Sequence, residues 1–204
     1  MKNRAVKSRS DIRQQYIGRL VADPAAHFRT DRPGSKIDGM SERPSQLWRE
    51  MPVDKRVVAA AAFWSDTESP EIAAQHAEAI GWLARRLNFR VRSVQALPID
   101  RRARHLGQMS DVSDSVATRA LIAYHFDAQR PLMGAFLDAL GIAHENGLIT
   151  EEEVATPPAD KLATAVQTVR GSFPSDDVDL YLKTLATLDG ETWTHLPALI
   201  TSPA

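Results

Sequence analysis

The sequence predicts an all-α protein, an irregular helical bundle built from αα-hairpins around a buried central helix pair. Apolar residues recur at the three- and four-residue spacing of helices, and no stretch sustains the alternation expected of strands. Between Ala120 and Ile142 only Asp127, Arg130 and Asp138 carry a formal charge, and the apolar residues cover the whole circumference. Helices that are apolar on all sides are buried by their neighbours. We therefore predict that this stretch lies at the centre of the bundle.

Two helices are expected within this central stretch, over 114–129 and 131–142, with a break at Arg130–Pro131. Proline lacks an amide donor and disfavours α geometry at the residue before it. Ser113 lies at the N-cap position of the first helix, where its hydroxyl can accept a backbone hydrogen bond. Each helix is shorter than the ~20 residues needed to cross a bilayer. We therefore expect a buried pair in a soluble protein.

Three αα-hairpins, pairs of helices joined by short loops, are predicted along the chain, and the second of them includes the first central helix. Short loops favour antiparallel packing of the helices that they connect. Each pair begins with the pattern Pro-x-Asp-Lys/Arg, which places a proline and an acid at the helix start. The repeated start also fits a degenerate helical repeat, but its unequal spacing favours a compact bundle. The predicted pairs are 53–65 with 70–87, 99–109 with 114–129, and 158–171 with 175–188.

Smaller local signals complete the predicted secondary structure. Ser69 is placed to cap the second helix of the first pair. Thr150 and Glu153 have the spacing of a capping box, which predicts a small helix over 151–155. Residues 144–147 are expected to form the frayed end of a helix and a turn.

The chain divides into three predicted regions. Residues 1–45 form a basic, partly irregular N-terminal arm, with a short amphipathic helix over 12–21. Residues 46–195 form a single all-α domain, and residues 196–204 form a C-terminal tail. The absence of cysteine excludes disulfides, thiol nucleophiles and thiolate metal sites. We expect a cytoplasmic protein, because the sequence shows neither a membrane-spanning run nor a secretory signal.

The charge is unevenly distributed, although the formal net charge is only −1. Residues 1–43 carry a net charge of +5, residues 85–104 carry +6, and residues 145–204 carry −7. Segregated charge indicates either a polyanion-binding surface or solvated helix surfaces. A stacking platform for bases is not predicted, because Phe89 is the sole aromatic residue of the arginine-rich run. The candidate polyanion-binding residues are Arg85, Arg86, Arg90, Arg92, Arg101, Arg102 and Arg104.

A second candidate site draws on histidines and carboxylates of the central helix pair and the turn that follows it. Imidazoles and carboxylates that converge in a helical bundle can bind a metal ion or transfer protons. The structural alternative is that Asp127 and Arg130, three residues apart, neutralise each other on one helix. The residues of this candidate metal-binding or hydrolytic site are His125, Asp127, Asp138, His144 and Glu145.

The stretch Ala103–Ile122 resembles a helix-turn-helix, a motif of two helices separated by a short turn. Leu106–Gly107 and Val112–Ser113 are of the residue types found in that motif. The resemblance implies that the second helix lies in a DNA major groove, with Thr118 and Arg119 offered to the bases. The strongly apolar character of this helix favours instead an αα-hairpin of the core.

Three hypotheses of function follow from these observations. The first is a protein–protein interaction module without catalysis, metal or cofactor, because no metalloprotease, phosphate-loop or nucleophile-elbow motif is present. Its protein partner is unidentified. The second is a nucleic-acid-associated protein that uses the arm and the arginines between Arg85 and Arg104. The third is an enzyme or metal protein built on the second candidate site.

Overall fold

The structure, a computed structural model, describes residues 42–67, 70–151 and 154–201. Within these ranges the chain forms ten helices and one short β-hairpin, so the predicted all-α bundle is confirmed. The hairpin pairs β1 (His144–Glu145) with β2 (Leu148–Ile149). The helices are α1 (Pro44–Glu50), α2 (Val53–Ser65), α3 (Pro70–Leu87), α4 (Val91–Gln95), α5 (Ile99–Gly107), α6 (Asp114–Ala128), α7 (Arg130–Leu140), α8 (Ala159–Ser172), α9 (Ser175–Leu188) and α10 (Leu196–Thr201).

Helix α6 lies between two hydrophobic cores and contributes side chains to both. Leu121 and Tyr124 belong to the core that α6 shares with α1, α2, α3 and α5. Ile122 and Phe126 belong to the core that it shares with α7, α8 and α9. Ten of its fifteen residues are buried, and so are six of the eleven residues of α7. The predicted buried central pair is therefore confirmed, and its apolar circumference is explained by neighbours on two sides.

The ends of the central helices follow the local signals of the sequence. The Ser113 side chain accepts a hydrogen bond from the Val116 amide at 3.2 Å, which confirms the predicted N-cap. Gln129, with φ −120° and ψ 17°, interrupts the helical conformation between α6 and α7, one residue before the predicted break at Arg130–Pro131. Pro131 lies in the first turn of α7, where backbone amides make no hydrogen bond within the helix, so its lack of an amide hydrogen costs nothing. Gly141 ends α7 with a left-handed φ of 70°.

Helices α2 and α5 pack with their backbones in close approach at Gly107. A Cβ atom at residue 107 would lie 2.7 Å from Val57 Cγ2 and 2.8 Å from Val57 Cα. Helix α2 packs most extensively against α5 and α6, and α7 packs most extensively against α8. The helices of the three predicted pairs, 53–65 with 70–87, 99–109 with 114–129 and 158–171 with 175–188, are therefore not each other's main packing partners.

Ion pairs connect α9 to the beginning of the described chain. Lys55 Nζ lies 2.8 Å from Asp177 Oδ1, and Lys183 Nζ lies 3.2 Å from Glu50 Oε2. In a repeat array each unit contacts only its neighbours. Contacts between residues more than 120 positions apart are those of a compact bundle, the preferred sequence interpretation.

The β-hairpin was not predicted, and it corrects the interpretation of residues 144–147. Asn146 and Gly147 have φ values of 51° and 80°, which is the combination required at the two central residues of a type I′ turn. The Gly147 amide donates to His144 Nδ1 at 3.1 Å. A Cβ atom on Gly147 would lie 2.9 Å from Met133 Cβ, so the turn also packs closely against α7.

The predicted small helix over 151–155 is wrong for the residues that the structure describes. Glu151, Val154 and Ala155 are not helical. The Thr150 amide donates to Ala143 O at 3.1 Å, which extends the hairpin. The Glu151 carboxylate accepts from the Ala143 amide at 3.3 Å, so both residues are engaged in closing the hairpin. The proposed partner of the capping box, residue 153, lies outside the described residues.

Three short helices were not predicted. Helix α1 begins inside the region assigned to the arm, α4 lies in the arginine-rich run, and α10 lies in the region assigned to the tail. Trp48, Val94 and Leu196 are fully buried, one from each of these helices. The predicted helix over 12–21 and the N-cap at Ser69 lie outside the described residues.

Candidate polyanion-binding surface

The arginine-rich run extends from the end of α3 through α4 to α5. Helix α3 contacts both α4 and α5, so the three helices lie next to one another. Six of the seven predicted arginines are exposed to solvent. We call these six residues the arginine surface: Arg85, Arg86, Arg90, Arg92, Arg101 and Arg104.

The guanidinium groups of the arginine surface form no ion pair with any other residue of the described ranges. Arg104 Nε donates only to the Asp100 carbonyl of its own helix, at 3.3 Å. By contrast, the exposed Arg49 lies 2.7 Å from Asp111 Oδ1. A guanidinium without a carboxylate partner keeps its planar set of donors for a phosphate or carboxylate from another molecule.

Helix stability accounts for only some of these arginines. Arg85 and Arg86 lie in the last turn of α3, where the helix dipole favours positive charge. Arg101 lies in the first turn of α5, where the dipole disfavours positive charge. Asp100 is the acid of that turn and offsets part of this repulsion. An anion bound beside Arg101 would reduce the repulsion further.

The linker between α3 and α4 and the first residue of α4 each present one apolar side chain within the arginine-rich run. Asn88 adopts a left-handed φ of 53°, and the Phe89 amide donates to Ala84 O at 2.9 Å. The Asn88 amide donates to Arg85 O at 3.3 Å. Together, these two hydrogen bonds form a Schellman motif at the end of α3. Phe89 and Val91 are each 49% exposed. Periodicity in the sequence does not indicate that the side chains of Phe89 and Val91 are exposed.

Arg102 is the one predicted arginine that does not belong to this surface. Its guanidinium lies 4.8 Å from the centroid of the Trp64 ring, in a cation–π contact. Its Nε atom is buried and has no hydrogen-bond partner. The Trp64 ring also lies 5.0 Å from the ring of His76. Arg102 therefore belongs to the packing between α2, α3 and α5.

The five residues of the second candidate site are not brought together. His125 is buried, whereas Asp127 and Glu145 are exposed. Among the five, Asp138 and His144 do meet, since His144 Nε2 donates to Asp138 Oδ1 at 3.1 Å. In the described part of the chain, no group of three or more histidines and carboxylates is arranged to hold a metal ion. The convergence expected from the sequence does not occur, because His125 of α6 is buried whereas Asp127 of α6 and Glu145 of β1 are exposed.

His125 has a structural role at the contact between α6 and α9. Thr184 Oγ1 donates its hydrogen to Leu180 O at 2.7 Å, so at 3.1 Å it accepts from His125 Nε2. His125 Nδ1 is buried without a hydrogen-bond partner. Burial lowers the pKa of His125 to about 3, and the charge of Asp177 acts in the opposite direction. The imidazole is therefore neutral in the folded protein near pH 7.

The resemblance to a helix-turn-helix does not extend to the position of the second helix. Helix α6 faces the two cores on opposite sides. Arg119 is only 2% exposed, and its Nη2 atom lies 4.0 Å from Asp66 Oδ2. Because ten of its fifteen residues are buried against other parts of the protein, α6 cannot enter a major groove.

No family model matches the chain, and no match was found among curated proteins or solved structures. Among the described helices, none is both long and apolar enough to span a membrane. The arrangement of side chains is therefore the basis for any proposal about function.

Proposed function

We propose that this chain is an interaction module that binds a polyanionic partner through the arginine surface. The observation that carries the proposal is the set of six exposed arginines without ion pairs in the described part of the chain. An exposed arginine in an ion pair, such as Arg49 with Asp111, already uses part of its hydrogen-bonding capacity. A partner with closely spaced phosphates or carboxylates would satisfy these donors.

Both binding hypotheses from the sequence are compatible with this chemistry. An acidic protein segment and a nucleic acid each present a series of negative charges to which guanidinium groups can bind bidentately. The second candidate site supports no competing proposal, because its five residues do not converge. Binding is therefore the activity to measure first.

The test is calorimetric titration of the full chain with inorganic polyphosphate at several salt concentrations. We expect binding that weakens steeply with salt, because bound arginines release counterions. Replacing Arg90 and Arg92 by Gln should weaken binding and reduce the slope of log K against log salt by about 2.

The matched control replaces Arg49 and Arg170 by Gln, which removes the same total charge. Both of these arginines form ion pairs, at 2.7 Å with Asp111 and at 3.2 Å with Asp179. The control should retain the affinity and the salt slope of the unmodified chain. Equal losses in the two double variants, or no binding by the unmodified chain, would refute the proposal.

A further inference from the structure

We infer that the polyanion bound by the arginine surface is a single-stranded nucleic acid, and that Phe89 stacks against one of its bases. This inference rests on the proposed function and specifies the class of partner. It depends on an exposed aromatic ring that is flanked in the sequence by exposed arginines. Proteins that bind single strands combine these two features, a cationic path for the backbone and an aromatic surface for the bases.

The position of Phe89 supports stacking. Its ring is 49% exposed, and Arg86 and Arg90 lie within three residues of it. The Phe89 amide donates a hydrogen bond of 2.9 Å to Ala84 O, and this bond fixes the backbone at Phe89. The ring is therefore presented from a fixed backbone, which limits the loss of conformational freedom on binding. A half-exposed ring with exposed arginines on both sides of it in the sequence can stack on a base while guanidinium groups bind phosphates of the same strand.

A single strand fits this surface better than a duplex. The bases of a duplex are paired and stacked on one another, so their faces are not available to Phe89. Reading of the grooves by α6 is excluded because Arg119 is buried. An unpaired strand can turn its bases outward and stack one of them on the ring.

An acidic protein segment would use the charges of the surface but gain little from the aromatic ring. The six residues of the arginine surface can bind either carboxylate or phosphate oxygens bidentately. Charge complementarity alone is met by either partner. The exposed ring favours the nucleic acid, and this difference can be measured.

The experiment measures fluorescence anisotropy of a labelled oligodeoxythymidylate of about 12 nucleotides with the full chain. The substitutions Phe89→Ala and Phe89→Trp test the ring, and Val91→Ala is the matched control, since Val91 is equally exposed at 49%. We expect Phe89→Ala to weaken oligonucleotide binding about tenfold, within the range measured for base–aromatic stacking. Phe89→Trp should bind at least as tightly as the unmodified chain, and Val91→Ala should change the affinity less than twofold.

Polyphosphate, which has no bases, separates this inference from the proposed function. The affinity for polyphosphate should be the same in Phe89→Ala and the unmodified chain. If Phe89→Ala binds the oligonucleotide normally, or if a duplex of the same length binds as tightly, the inference is overturned while polyphosphate binding still supports the proposed function. If a polyglutamate peptide binds more tightly than the oligonucleotide, the partner is an acidic protein. Failure to bind any of these probes overturns both proposals.

Discussion

Replacing His125 by Gln should reduce the loss of stability that occurs as the pH falls below neutrality. The Gln side chain can keep the hydrogen bond to Thr184 Oγ1 but does not titrate. In the folded protein burial lowers the pKa of His125 to about 3, whereas the ordinary value is 6.5. Below pH 6.5 the unfolded chain therefore binds a proton that the folded protein does not bind, and the free energy of unfolding decreases as the pH falls.

The expected magnitude follows from this difference. Each pH unit between the two pKa values corresponds to about 1.4 kcal/mol. Between pH 7 and pH 5, His125 should therefore lower the free energy of unfolding by about 2 kcal/mol. The decrease should continue until the pH approaches the folded pKa of about 3. The assay is urea unfolding followed by tryptophan fluorescence at pH 7 and pH 5, with the two proteins compared at each pH.

Thr184→Val is the matched control for this experiment. It removes the acceptor of the His125 Nε2 proton but leaves the imidazole in place, so it should lower stability by about 1–3 kcal/mol at both pH values. The difference between pH 7 and pH 5 should remain like that of the unmodified protein. If His125→Gln shows the same loss of stability between pH 7 and pH 5 as the unmodified protein, burial does not lower the pKa of His125 in the folded protein.

Two further predictions concern packing. Gly107→Ala should lower the free energy of unfolding by about 1–3 kcal/mol, because the new methyl group would overlap Val57. Gly171→Ala, where a Cβ atom meets nothing within 4 Å, should instead raise the free energy of unfolding by about 0.5–1 kcal/mol. Equal effects of the two substitutions in urea unfolding would contradict the close approach of Gly107 to Val57. Phe136→Ala and Leu137→Ala, both in the buried part of α7, should each lower stability by about 2–5 kcal/mol. Unchanged melting temperatures for both would show that α7 is not a core helix.

The long helices could be predicted because their signals are local. The start pattern at Pro52, Pro98 and Pro158 lies immediately before α2, α5 and α8. The break near Pro131 follows from the chemistry of proline. By contrast, α1 is held by the burial of Leu47 and Trp48, whose partners lie far along the chain. Two apolar residues in a seven-residue helix give too short a pattern to identify it.

The hairpin was missed although its turn carries a strong signal. Asn146–Gly147 is a preferred sequence for a type I′ turn. Each strand has only two residues, which is too short for an alternating pattern to be recognised. The backbone of this turn is stabilised by contact with α7, through Gly147 and the hydrogen bond from Arg130 Nη1 to Asn146 O at 3.2 Å.

The arginine surface was predictable in composition but not in detail. A run with seven arginines and one acid leaves few local carboxylates to pair with, so exposed arginines were expected. Arg102 differs because it contacts Trp64, which is 38 positions away and cannot be identified as a partner from spacing. The outward position of Phe89 depends on the left-handed Asn88, a backbone feature of one residue.

The position of α6 between two cores has a consequence for cooperativity. Each core uses a different side of the same helix, with Leu121 on one side and Ile122 on the other. Local opening of either half would expose one side of α6 to water and remove packing that holds the other side in place. Neither half is therefore an independent folding unit, and the amide hydrogens of α6 should exchange with solvent only when the whole bundle unfolds.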